Sequence, residues 1–257
     1  MVFAIDAGNT NIVLGLYDND KLVFTSRLST QASVSEDEYA IAIKNIFELY
    51  SICPNEFDGA IISSVVPPLN ATLKNALKKL LNCKVYVVSP GIKTGLNIKL
   101  DNPAILGADL VCGAVGALEK YSAPCIVFDL GTATTISAID KNRCFLGGSI
   151  IPGVRISLNA LSNGAAQLPH ISLDDYDGEV IGKNTLSSMQ SGIILGTAGM
   201  LDAFIERYRE VLGEDAVAIA TGGLAPSIVK YCKHDIICDS DLLLDGLYYI
   251  YKMNAKS

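Results

Sequence analysis

Two short segments of this sequence place a carboxylate at the end of an apolar run and a glycine two residues later. Val2-Phe3-Ala4-Ile5 leads into Asp6-Ala7-Gly8-Asn9-Thr10-Asn11. Cys125-Ile126-Val127-Phe128 leads into Asp129-Leu130-Gly131-Thr132-Ala133-Thr134-Thr135. An Asp at the end of a buried strand is a costly placement unless its charge is used, and holding Mg²⁺ or its waters beside phosphates is one such use. The glycine lets backbone N–H groups come close to a phosphate, and the Asn and Thr side chains add short donors. One such loop alone reads best as a hairpin turn, because Asp, Gly and Asn are turn residues. Two of them, facing each other across a cleft, would make a clamp for nucleotide phosphates.

Three further segments could join them. Thr221-Gly222-Gly223 follows an apolar run and precedes a helical one, and such a turn admits a flat ligand or a phosphate close to the backbone. Taken singly, it is as well explained by a tight strand-to-helix connection. Gly107-Ala108-Asp109 opens a helix, where an Asp is usually a cap. In a kinase the same carboxylate is the natural base for a substrate hydroxyl. Gly147-Gly148-Ser149-Ile150-Ile151-Pro152-Gly153 reads as a bend that passes close to the site.

The elements around these motifs repeat as well. After each Asp-x-Gly comes a second apolar run (residues 12–17 and 135–139). A polar turn follows, Asp18-Asn19-Asp20-Lys21 or Asp140-Lys141-Asn142-Arg143, and then a third run (22–24 and 144–146). Each copy is a β-meander, and two copies at half-chain spacing point to a duplicated domain. Elsewhere helix and strand alternate. Residues 36–50, 69–81, 107–121, 187–212, 226–232 and 242–252 read as helices, and residues 59–66, 85–88, 216–220 and 236–237 as strands. This order gives an α/β architecture with parallel crossovers. The boundary between the halves falls between Asp101 and Tyr121, dividing the chain into residues 1–110 with the first loop and 111–257 with the second loop and the Thr221-Gly222-Gly223 turn.

Bulk composition narrows the function classes. The 257 residues are 50% hydrophobic with a formal net charge of −7, which supports real cores and argues against non-specific binding to nucleic acid or anionic membranes. Phosphate binding must then be local, through backbone N–H groups, helix ends or a metal. The start of the chain lacks the basic and long apolar regions of a signal peptide, and the longest uncharged stretch, residues 184–201, is too rich in Ser, Gly, Thr and Gln to span a membrane. The seven cysteines form no C-x-x-C and read as reduced, mostly buried thiols of a cytoplasmic protein. With two histidines, a His-rich metal site or a Ser-His-Asp triad is disfavoured.

Taken in order, these segments resemble the acetate and sugar kinase, Hsp70 and actin superfamily, and within it the type III pantothenate kinases. The resemblance runs nearly the whole chain. It is carried by Asp6 to Asn11 with Gly15, Asp101-Asn102-Pro103 with Gly107-Ala108-Asp109, Asp129 to Thr135, Gly147-Gly148 with Pro152-Gly153, Leu168-Pro169, Gly182-Lys183-Asn184-Thr185 and Thr221-Gly222-Gly223. It implies two ribonuclease-H-like domains per subunit, each a mixed sheet flanked by helices, and a homodimer that phosphorylates pantothenate with ATP in the first step of coenzyme A synthesis. It further implies that Asp6, Ala7, Gly8, Asn9, Thr10, Asn11, Ile12 and Val13 hold ATP phosphates and Mg²⁺. Thr132, Gly222 and Gly223 would contact the nucleotide, Asp129 would bind K⁺ or NH₄⁺, and Asp109 would be the general base. Leu100, Gly107, Ala108, Asp109, Leu110 and Thr185 fall at the pantothenate positions. Two of these depart from the family pattern, which has Tyr where this chain has Leu100 and Arg where it has Leu110. Losing a bidentate donor removes a fixed positive charge. A catalytically impaired nucleotide-binding relative, or a kinase for a different small alcohol, are therefore the readings that compete with an active pantothenate kinase.

Overall fold

The computed structural model describes residues 1–165, 167–173 and 176–255. It holds two mixed sheets, each flanked by helices, and each built from the meander read in the sequence. In the first, β1 (Val2–Ala7), β2 (Asn11–Asp18) and β3 (Lys21–Ser29) run antiparallel, and β4 (Gly59–Ser64) and β5 (Lys84–Val87) continue parallel to β1, in the order β3-β2-β1-β4-β5. The second sheet repeats that order with β7 (Cys125–Leu130), β8 (Ala133–Ile139), β9 (Cys144–Pro152), β10 (Val217–Thr221) and β11 (Ile237–Cys238). A short β6 (Asn97–Ile98) is added outside β9. The duplication is thus one of topology as well as of motif, and the fold is the duplicated ribonuclease-H-like one.

Strand alternation sets the two faces of the first sheet. Phe3, Ile5 and Ala7, with Ala60 and Ile62, pack under α1 (Glu36–Leu49) and α2 (Pro67–Leu80). Val2, Ala4 and Ile61 face α3 (Ala108–Lys120) and α7 (Leu242–Ala255). The first of these helices opens on a capping box between Ser35 and Glu38. The second opens on Pro67 at its first position, where the missing N–H costs nothing. In the second sheet Ile126, Phe128 and Leu130 pack with α5 (Thr185–Leu212) and α6 (Ala225–Val229).

Three sequence expectations are corrected. Residues 147–153 do not end the strand: β9 continues through both glycines to Pro152, with a register irregularity against β8 between Phe145 and Gly147. A side chain at Gly148 would strike the Ile136 carbonyl on β8, so this glycine allows close strand approach, while Gly147, at φ +131°, takes the backbone conformation of the irregularity. A helix, α4 (Val154–Gly164), follows where none was read. All seven cysteines are free, but only Cys112, Cys125 and Cys144 are buried, while Cys53 and Cys238 are exposed.

The compact units are not contiguous halves. The first takes residues 1–96 and 102–119 together with α7; the second takes residues 97–101 and 120–241. The helix α7 belongs to the first because it meets α3 backbone to backbone. A side chain on Gly116 would strike the Leu242 carbonyl, and one on Gly246 would strike that of Cys112. The contact is extended by Tyr17, which stacks on Tyr248 at 4.3 Å and donates to Asp245 at 2.6 Å, and by Tyr248, which donates to Asp20 at 2.6 Å. Gly116→Ala is expected to destabilise the protein by about 1–3 kcal/mol through overpacking, read as a lower midpoint in chemical denaturation.

Candidate functional site

The first loop is a closed turn with a polar rim. Asp6 pairs with Val13 and Ala7 with Ile12 across the hairpin. The Gly8 N–H donates to the Asn11 carbonyl at 2.9 Å, so it is spent inside the turn. Thr30 braces the loop from β3's end: its hydroxyl donates to the Gly8 carbonyl at 2.7 Å and its N–H to the Thr10 carbonyl at 3.0 Å. Ala7 and Ile12 are buried, Val13 is half-buried, and Asn9, Thr10 and Asn11 stand exposed. The groups this loop offers a phosphate are therefore those of residues 9–11, with Asp6 half-buried at the strand end behind them.

Asp109 belongs to the same unit as Asp6. It sits in the first turn of α3, where its carboxylate accepts from the Leu110 N–H at 2.8 Å. Gly107 makes room for it, since a side chain there would collide with the carboxylate. Burial is the dominant influence and raises the Asp109 pKa, against the hydrogen bonds from the backbone of Leu110 and of Asp109 itself, which lower it. One turn further along α3 lies Cys112, fully buried, its thiol pushed well above its ordinary value by burial first, then by the charge of Asp6 and, more weakly, of Asp109. Both carboxylates thus act on one thiol beneath the helix start.

In the second unit, three motifs that were read separately come together. Asp129 pairs with Thr135 on β8 and with Thr221 on β10. Gly222 has φ +93°, and a side chain on it would come within 2.7 Å of both the Asp129 Oδ1 and the Leu130 carbonyl. Only glycine allows the Thr221-Gly222-Gly223 turn to sit on the Asp129 carboxylate in this way. Gly153, at the end of the segment expected to bend, lies against the other side of the turn: a side chain there would strike the Thr132 carbonyl and stand 2.7 Å from that of Gly131. Thr132 and Gly223 remain exposed. Behind the loop, the buried hydroxyls of Thr134 and Thr135 have no hydrogen-bond partner.

The residues expected at pantothenate are assigned to different units. Gly107, Ala108, Asp109 and Leu110 lie in the first, all half-buried. Leu100 lies in the second, where a side chain added at Gly147 would meet it at van der Waals distance, and Thr185 is the exposed first residue of α5. Sequence reasoning passed over Thr30 and Ser63 and gave Cys112 no place in the site, whereas Gly153 lies in the segment expected to pass close to it. Ser63 is in register with Asp6 on the neighbouring strand, a placement that the sequence of β4, which ends in two serines, does not reveal.

A divalent ion fits this donor set. Among the described residues, no three or more His, Cys, Asp or Glu gather as a metal cage. Mg²⁺ needs none, since it is held by one or two carboxylates with phosphate oxygens and water, and Asp6 at its strand end is such a carboxylate. No helix of the described residues is long and apolar enough to cross a membrane.

A profile of the type III pantothenate kinases matches residues 2–207. The chain is 44% identical over 256 residues to a type III pantothenate kinase of Exiguobacterium sp., covering 100% of both chains. To one of Bacillus cytotoxicus it is 42% identical over 255 residues, covering 99% of this chain and 97% of the other. Among solved structures, the ethanolamine utilization protein EutJ of Carboxydothermus hydrogenoformans aligns with a TM-score of 0.56 at 14% identity, over 96% of this chain and 88% of that one. This last likeness is one of fold.

The raised pKa of Asp109 fixes the sign of a stability test. The folded state holds the proton more tightly than the unfolded one, so this group's contribution is present below its ordinary value of 3.8 and is lost as pH rises through the folded value. Asp109→Asn is therefore expected to be at least as stable as the parent at pH 7, with the difference closing as the pH is lowered past 3.8. Denaturant melts at several pH values measure this. Phosphoryl transfer by the same variant is expected to fall by about 10²- to 10⁴-fold.

Proposed function

The chain belongs to the type III pantothenate kinase family, and from that premise we propose that it phosphorylates pantothenate with ATP, with Asp109 as the base. The observation that carries the reading is Asp109 itself: a carboxylate at a helix start, raised by burial, acting with Asp6 on the same buried thiol in the first unit. The family uses ATP with a divalent metal.

Each residue then has a task. The 6–13 hairpin binds the ATP phosphates through its exposed rim, and Asp6 holds the metal, which supplies charge neutralisation at the phosphates. Thr132 and the Gly222-Gly223 turn contact the nucleotide. Asp129, held between Gly222 and β8, binds the monovalent cation, K⁺ or NH₄⁺. Asp109 receives the proton of the pantothenate hydroxyl as that oxygen attacks the γ-phosphorus of ATP, whose bond to the β-phosphate oxygen breaks so that ADP leaves. Its partly desolvated position suits this, because a carboxylate with a raised pKa is a stronger acceptor than an ordinary one. Gly107 and Ala108 keep the approach to it open. Leu110 offers pantothenate apolar contact in place of a charged donor, as does Leu100, and Thr185 offers a hydroxyl. We place the enzyme in the cytoplasm as a homodimer. Free thiols accord with a reducing compartment, and the exposed apolar side chains Ile181 and Leu186 beside Thr185 accord with a self-association surface.

A coupled assay decides the main claim. ADP release is expected to depend on pantothenate, Mg²⁺ and K⁺ or NH₄⁺ together, with 4′-phosphopantothenate as product; ATP turnover indifferent to pantothenate would reject it. Leu110→Arg is expected to lower the pantothenate KM by about tenfold, by giving its carboxylate a charged donor. An unchanged KM would mean that the leucine is not at the acceptor.

A further inference from the structure

Among the described residues of the first unit, Ser63 is a fully buried polar residue on the site's own face whose hydroxyl has no hydrogen bond of good geometry. It is 0% exposed, and its hydroxyl has no hydrogen-bond partner. A buried hydroxyl without a partner costs about 1–3 kcal/mol, so the residue is a poor choice for stability; Ala would fill the strand as well. Its placement is specific. On β4 it shares a face with Ile61, the α3 and α7 side of the sheet, and it is the parallel register partner of Asp6. The Cys112 thiol is beside it; a thiol is a weak hydrogen-bonding group and leaves the hydroxyl without a bond of good geometry. The same register in the second unit sets Thr221 against Asp129, again a buried hydroxyl residue on the parallel strand next to the loop's Asp. The duplicated fold thus carries a hydroxyl at this place twice.

We infer that Ser63 is a positioning residue of the transfer site, its hydroxyl held as an uncommitted donor that bonds the Asp6 carboxylate, or a water on it, once the phosphates and metal are bound. This rests on the kinase reading of the same loop. The hydroxyl orients one carboxylate oxygen and touches neither substrate, so it acts on the rate of transfer rather than on recognition of the acceptor.

Ser63→Ala separates this role from a structural one, because the two move stability in opposite directions. The nucleotide-free variant is expected to melt at the same temperature as the parent or higher, since an unsatisfied buried group has been removed. Its kcat is expected to fall about ten- to hundredfold, the worth of a hydrogen bond to a charged group, with the pantothenate KM unchanged. The rise in melting temperature on adding MgATP is expected to be smaller than for the parent. Ser63→Cys, close in size and a poor donor, should repeat the pattern, and Ser63→Thr, which keeps the hydroxyl, should restore kcat to within a few-fold of the parent. A lower melting temperature of the free Ala and Cys variants, or a parental kcat in them, overturns the inference while leaving the kinase reading intact. Should the parent itself form no phosphopantothenate, the kinase reading fails, and the MgATP melting shift alone decides: an equal shift in parent and Ala variant overturns the role for Ser63.

Discussion

A charged carboxylate at the mouth of a buried central strand has to be compensated by something other than water, and both halves of this chain are organised around that requirement. Asp6 and Asp129 each end the strand at the middle of a five-strand order, with an antiparallel hairpin on one side and a parallel strand on the other. Moving either Asp outward would hydrate it and remove its use. Keeping it in place obliges the neighbours to be small or polar. In the second half the answer is Gly222, whose missing side chain makes room for the carboxylate, and in the first it is the serine on β4 and the bare start of α3. The chemistry of the loops and the choice of residues on the adjacent strands are one problem solved twice.

The parts that this constraint writes locally were legible in the sequence. Apolar run, Asp, Gly, and a second run define the strand ends, and both hairpins form with the register those residues suggest. The polar turn at Asn19 and Asp20 adopts positive φ, as Asn and Asp tolerate. What could not be read depends on distance in the chain. Gly147 and Gly148 look like a bend by composition, and only the approach of β8 makes them a strand. The seating of Gly222 on Asp129 joins residues far apart in sequence, so the three motifs of the second half appeared as three separate possibilities. Ser63 was hidden for another reason: a serine in a strand carries no period, and its significance lies in the strand beside it.

The departures at Leu100 and Leu110 sit at ends of the chain's argument that differ in kind. Leu110 follows the carboxylate directly, and its N–H is a bond to that carboxylate whatever its side chain. Backbone support of Asp109 is therefore indifferent to the replacement of Arg by Leu, which changes only what the side chain offers. Full-length relatives at 44% and 42% identity carry the same family name.

The glycine crossing of α3 and α7 bears on how the molecule is made. Gly116 and Gly246 let two helices touch through their backbones, and these helices come from the middle and the last stretch of the chain. A ribosome therefore releases the strands of the first sheet long before the helix that covers one of its faces exists. During that interval Val2, Ala4 and Ile61 lack half of their cover, while the whole second unit, residues 97–101 and 120–241, is available to fold first. Non-local closure of this kind is slow, and the order of synthesis is here the reverse of the order of completion.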